Sequence, residues 1–278
     1  MRKKTAYRDI VAYTVLTIGA LISLVPFFWM FTTSVKDQSE IFLFPPKWIP
    51  SIWHWENYRQ AWHAGGLNFT LMFYNTMRIV IPVTISTVVI SSLAAYSFAR
   101  IDFVGKNFIF MGFLASMMVP GTVTIIPQFI MFRTLGWINT LKPLIVPGLF
   151  GSAFAIFLLR QFFLTIPQDL EDAAIIDGCS RFRIWWQIFL PLSKPIIATL
   201  TVFTFQGVYN DFMGPLIYLN SQDLFTVQLG LAAFRGVYQT RYDLLMAASV
   251  FTLVPIIVIF LFAQRYFIEG VVMTGIKG

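Results

Sequence analysis

Hydrophobic residues in this chain come in long blocks separated by short polar stretches. Six blocks, at residues 10–35, 71–99, 108–132, 144–163, 196–219 and 244–267, are long enough as helices to cross about 30 Å of hydrocarbon at about 1.5 Å per residue. The pattern predicts an all-α, polytopic membrane protein of six transmembrane helices, organised as a single domain over residues 1–278. The first block follows Arg2, Lys3 and Lys4 as a signal peptide would. Its apolar run is too long for one, however, and ends in Pro26-Phe27-Phe28-Trp29 without a small-residue cleavage site, so a retained anchor is expected. Pro120, Gly121 and Pro127 in the third block, and Pro147, Gly148 and Gly151 in the fourth, should bend or unwind their helices. Close packing and flexing along a pathway both explain such breaks, which are tolerated where protein or a wet cavity satisfies the freed backbone groups.

Between the fourth and fifth blocks lies a polar interruption at residues 165–191, TIPQDLEDAAIIDGCSRFRIWWQIFLP. Pro167 suits a first helical turn, and Asp169, Glu171 and Asp172 place negative charge near the positive end of the helix dipole. Leu170, Ala173 and Ala174 share one face by i, i+3, i+4 spacing. Gly178 can supply the left-handed residue that ends this helix, and Ser180 can cap a second one. In that second helix Phe182, Trp185, Trp186 and Phe189 are expected on one face, with Arg181, Arg183 and Gln187 against it. Two short helices at a membrane surface result.

The same residues carry a resemblance. Asp172, Ala173, Ala174, Gly178, Ile188, Leu190 and Pro191 are similar in type and spacing to the Glu-Ala-Ala loop of binding-protein-dependent ABC importer permeases. Asp172 stands where that family carries Glu, with Glu171 directly before it. The resemblance implies a type I importer permease architecture. It also implies that Glu171, Asp172, Ala173, Ala174, Gly178, Leu190 and Pro191 couple the chain to a cytoplasmic ATPase dimer. A second homologous permease subunit, an extracytoplasmic solute-binding protein and a sugar substrate complete the implied assembly. No cofactor is expected in this chain, with ATP and Mg at the partner ATPase. The terminal glycines Gly270, Gly275 and Gly278 resemble the tail of carbohydrate permeases related to the maltose system, although such a tail could also simply fray.

Composition supports the membrane reading, with 57% hydrophobic and 12% charged residues against about 25% charged in ordinary soluble domains. The net charge of +7 comes from basic residues scattered between the blocks, which argues for topology and against nucleic acid. With the N-terminus inside, twelve Lys and Arg lie on the cytoplasmic side and eight outside, the expected bias. Both termini and the 165–191 loop are then cytoplasmic in a multi-pass protein of the prokaryotic inner membrane. Cys179 is the single cysteine, so no internal disulfide can form.

In the fifth block Gln206, Tyr209, Asn210 and Asp211 cluster at a depth roughly 15–22 Å from the cytoplasmic end. Polar groups there should face protein or a wet cavity. Gln206, Gly207 and Asn210 share a face, with Tyr209 one helical step away. The cluster has the amide, hydroxyl and aromatic groups a sugar pathway needs, and equally those of an interhelical hydrogen-bond network. The outer segment 36–68 carries Trp48, Trp53, Trp55 and Trp62, which fit headgroup anchors or a sugar-stacking surface. His54 and His63 have no acidic or thiol cluster around them and no metal-ligand pattern. Asn75 and Thr76 can cap the second helix, and the outer loop 220–243 is expected near the binding protein. No G-x-x-x-x-G-K-[ST], H-E-x-x-H or G-x-S-x-G motif occurs, so no catalytic or metal site is expected and fuel must come through a partner. An ion-coupled carrier is the alternative, which would need inverted repeats and buried ion ligands.

Overall fold

In the computed structural model, helix α1 (Arg2–Ser34) runs through Pro26 without interruption, and short helices α2 (Gln38–Ile41) and α3 (Glu56–Trp62) follow. The structure describes residues 2–63, 66–235 and 241–275, with side chains over 8–63, 66–235 and 241–266. Lys277, Gly278 and the 236–240 part of the outer loop fall outside that range. Helix α4 (Phe69–Arg100) is the second long rod. Helices α5 (Lys106–Ser116) and α6 (Gly121–Thr134) then meet at a bend of 96°. Pro120 sits at this corner with φ −60° and ψ 130°, an extended residue without an N–H that cannot continue α5.

The fourth crossing is assembled from α7 (Lys142–Ile145), a 3-10 turn (Pro147–Phe150) and α8 (Ala153–Phe163). After it come α9 (Gln168–Ile176), α10 (Arg181–Ile184), a π turn (Trp185–Phe189) and α11 (Leu190–Leu192). A bend of 82° leads into α12 (Lys194–Tyr209) and α13 (Met213–Tyr218). The described chain ends with a 3-10 turn (Gln222–Leu224), α14 (Val227–Ala233) and α15 (Tyr242–Gly275). Among the described residues four helical stretches are apolar and long enough to span a membrane unaided, or six if each bent pair forms one span. No strand occurs among the described residues.

The chain divides into two compact units. One comprises residues 1–69 and 230–254, the other 70–229 and 255–278. In the first, Phe251 packs edge-on against Trp62 at 4.7 Å and Phe69 at 5.1 Å, and Phe69 stacks with Phe234. Lys36 is fully buried there, its ammonium donating to the Lys47 carbonyl and lying 4.1 Å from the Trp29 ring. Burial pushes this ammonium below the usual lysine range. Asn57 ties the segment down by donating to the Ser34 and Lys36 carbonyls. Trp53, Trp55 and Tyr58 stack in series with exposed indoles.

The second unit is organised on α4. Its middle presents small and hydroxylated residues to the broken fourth crossing. Ser86 donates to the Leu149 carbonyl at 2.6 Å, Thr87 to the Gly148 carbonyl at 3.1 Å, and Ser91 accepts from the Ser152 N–H at 3.0 Å. Two carbonyls and one N–H at the break are thus satisfied by α4, as lipid-embedded backbone requires. Gly148 lies so close that a Cβ would stand 2.6 Å from Val83 Cγ1. Gly151 adopts φ +88°, a conformation that side chains resist. With no hydrophobic drive between helices in lipid, such close approach is a main source of association.

Gly148→Ala should overpack this seam by about 1–3 kcal/mol and lower the melting temperature of the detergent-solubilised protein. Adding Val83→Ala should recover most of the loss, because the two residues share one contact. Equal melting of the single variant and the parent would contradict the seam.

Candidate coupling site and solute pathway

The 165–191 loop is built by local rules and then fixed from beneath. Pro167 precedes α9 in an extended conformation, φ −56° and ψ 137°, one step before the helical turn expected for it. Gly178 adopts φ +77°, with its N–H donating to the Ile175 carbonyl and the Cys179 N–H to the Ala174 carbonyl. That pair of bonds is the Schellman closure of a helix. Ser180 then accepts from the Arg183 N–H and starts α10.

Burial divides the loop differently from its apolar spacing. Glu171 is only 3% exposed and Ala174 is buried, whereas Leu170, Asp172 and Ala173 face outward. The expected Leu170/Ala173/Ala174 inner face is therefore rotated, because Glu171 finds partners inside. Its carboxylate accepts from Arg181 and from the Tyr96 hydroxyl at 3.2 Å, and lies 3.7 Å from Arg100 Nε. The expected four-aromatic face is also split. Trp185 and Phe189 enter a core with Tyr96, Leu159 and Phe163, while Phe182 and Trp186 remain exposed. The π turn at Trp185–Phe189 adds a residue to one turn and so shifts side-chain register locally.

Leu170, Asp172, Ala173, Ile175, Ile176 and Gly178 are all exposed on and after α9, and Phe182 and Trp186 are exposed on the segment that follows. Ile176 is 86% exposed. Leu190 is partly buried against the core and Pro191 is exposed. An apolar patch of this kind on a membrane protein's polar loop marks a contact surface.

The span-five residues do not all share one environment. Tyr209 is 1% exposed and stacks on Phe205 at 5.7 Å, within a cluster that includes Val80. Gln206, Gly207 and Asn210 are exposed. Asn210 accepts from Gln228 at 3.0 Å. Asp211 occupies the break between α12 and α13, where its carboxylate accepts from the Gly214 N–H at 3.1 Å. Tyr209 and Asp211 also line a cavity of about 240 Å³ with Thr76, Gly148, Gly207 and Thr226. The Thr226 hydroxyl in that wall is buried without a protein partner.

Several residues that organise the site gave weaker sequence signals. Asn75 and Thr76 lie within α4 and hold the 223–227 segment instead of capping their own helix. Asn75 donates to the carbonyls of Asp223 and Phe225, and Thr76 accepts from the Val227 N–H. Asn139, at φ +60°, donates to the Ser221 hydroxyl and accepts from the N–H groups of Asn220 and Ser221. Its tolerance of the left-handed region was the available clue. Tyr96 and Arg100 read as an ordinary span end, since only folding brings them to Glu171.

The architecture has close counterparts among known proteins. The family model described as "Binding-protein-dependent transport system inner membrane component" matches residues 87–272. The chain belongs to this family. Among relatives of this permease, the arabinooligosaccharides transport system permease protein AraQ of Halalkalibacterium halodurans is 35% identical, with all of both chains covered. The probable ABC transporter permease protein YurM of Bacillus subtilis is 35% identical over 91% of this chain and 83% of its own. The sn-glycerol-3-phosphate transport system permease protein UgpE of Yersinia enterocolitica is 33% identical over 95% and 96%. A crystal structure of a bacterial ABC transporter that imports the acidic polysaccharide alginate shares the permease fold, with TM-score 0.79 and 22% identity over 93% of this chain and 96% of that one. The permease is thus a multi-pass component of an inner-membrane transport system.

Asn139→Ala removes three hydrogen bonds and leaves a β-carbon at positive φ. The cost should be about 1–3 kcal/mol, confined to the outer loop. Hydrogen exchange should rise selectively over residues 220–227, and unchanged protection there would refute the assignment of Asn139 as its clasp.

Proposed function

We propose that this permease is one half of the membrane pore of a sugar-type ABC importer. It accepts a sugar or oligosaccharide from an extracytoplasmic binding protein, and ATP hydrolysis at a separate cytoplasmic ATPase dimer drives passage. The observation that carries this reading is the outward face around Asp172 and Gly178, mounted on a loop whose other side is packed into the protein's hydrophobic core. A contact surface so placed suits a partner that pushes. The names of the relatives, arabinooligosaccharide and glycerol phosphate permeases among them, support a carbohydrate-like solute.

A second homologous permease subunit would complete the pore. The basic-residue bias puts both termini and the coupling loop inside the cell, on the ATPase side. Asp172, Ala173 and Gly178 would meet the ATPase, with ATP and Mg held there and no catalysis in this chain. Closure of the ATPases on ATP would move the loop and shift the pore from inward-open to outward-open, with hydrolysis resetting it. The exposed Gln206 and Asn210 amides are the groups assigned to the solute pathway. Tyr209 would shape it from behind, and Asp211 would hold the helix break that places Asn210.

Two measurements test this. In proteoliposomes containing the partner subunits, uptake should require ATP inside and should not follow an imposed proton or sodium gradient. Gly178→Asp meets no neighbour within 4 Å of the added Cβ, and the left-handed φ of +77° means that it also strains the turn. It places a charge on the docking face and should cut uptake by about tenfold or more, the scale of one lost interface contact. Solute capture by the binding protein should stay unchanged. ATP-independent uptake, or full uptake by Gly178→Asp, would defeat the reading. Asn210→Leu should likewise lower uptake in a normally assembled complex, and parental uptake would remove Asn210 from the pathway.

A further inference from the structure

Glu171 belongs to the motif-bearing loop, yet it cannot touch a docked partner as its neighbours can. Consecutive side chains on a helix diverge by about 100°. Asp172 is exposed while Glu171 is 3% exposed and faces α4. Its partners come from two other elements, Tyr96 and Arg100 at the inner end of α4 and Arg181 at the start of α10.

Arg100 extends the connection. Its Nη2 donates to the Phe163 carbonyl at 2.7 Å and to the Ile166 carbonyl. Phe163 is the last residue of α8, and carbonyls there have no intrahelical partner. One guanidinium thus bridges the end of α8 to the carboxylate of α9. The reciprocal strut is Arg160 on α8, whose Nε donates to the Phe98 carbonyl of α4 at 3.1 Å. The inner ends of α4 and α8 are cross-clamped, and α9 hangs on the clamp by Glu171.

We propose that Glu171 is the loop's internal joint, a positioning residue that delivers displacement of the docked face to α4 and α8 through Arg100 without meeting the ATPase. This rests on the coupling role proposed above for the loop. Simple anchoring could be met by an apolar side chain, and Leu170 beside it is left half exposed. Replacing a buried ion pair by packed apolar groups is often neutral or stabilising. What the carboxylate adds is direction. The close contact to Arg181 and the ion pair to Arg100 at 3.7 Å place the carboxylate by charge, whereas an apolar contact can slide. A loop tied this way moves with the two helix ends as one piece.

The test compares solute transported per ATP hydrolysed, at equal amounts of assembled importer. Glu171→Gln keeps shape and should lower that ratio by about tenfold while binding-protein-stimulated hydrolysis stays within about twofold. Arg100→Gln should behave the same, and the double variant should be no worse than either single one, as members of one joint require. Arg181→Ala, whose side chain is half exposed, should have a smaller effect. A parental ratio in Glu171→Gln, or additive losses in the double variant, overturns the joint. Should Glu171→Gln fail to assemble, Tyr96→Phe removes a single hydroxyl and carries the test, with a lowered ratio in support and an unchanged one against. ATP-driven uptake by the parent with a fully coupled Glu171→Gln would sink the joint alone. No ATP-driven uptake by the parent would sink the functional reading itself.

Discussion

Hydrocarbon offers nothing to a peptide N–H or C=O, and the broken fourth crossing of this protein is shaped by that constraint. The broken fourth crossing survives because Ser86, Thr87 and Ser91 of α4 meet its carbonyls and N–H groups. The loop after α13 is held by Asn75, Thr76 and Asn139. At the other end of α4, Arg100 takes up the carbonyls where α8 stops. One long helix therefore carries most of these side chains, and it stays helical from Phe69 to Arg100 through Pro82.

This arrangement separates what is fixed from what is offered. Around α4 the packing is close, with Val83 against Gly148 and a Tyr96–Phe189–Phe163 aromatic run at 4.9 and 5.3 Å. The outward aromatic and aliphatic side chains of the loop, Ile176, Phe182 and Trp186, have no such confinement. A rigid inner face with an adhesive outer face is what a part needs if force is to pass through it. The same division recurs in the fifth crossing, where Tyr209 is locked against Phe205 and Gln206 is left outward.

Much of this was legible from the chain alone because its signals are local. Block length gave the crossings, Gly178 and Ser180 gave the turn and cap, and Pro120 gave the place of the sharpest bend. Partnerships between distant residues were not legible. Glu171 reads as a surface carboxylate in an acidic helix start until Arg100 and Tyr96, more than seventy positions earlier, are brought beside it. Leu170 and Ala173 then yield the inner side to a charge, against the apolar periodicity. Likewise Asn75 looks like a cap because its true partners are 148 and 150 positions away. The exposed side of the fifth crossing was half legible, since spacing grouped Gln206 with Asn210 but could not say that Tyr209 turns inward.

The inner surface of the loop also limits how such proteins can be recombined. A segment transplanted from a relative to alter which motor subunit is recognised would bring its own underside. Unless residues 96 and 100 were exchanged along with it, the incoming acid would face a mismatched socket and the graft would sit askew. On the proposed coupling role, recognition and seating are two sides of one short helix, so a graft would have to carry both.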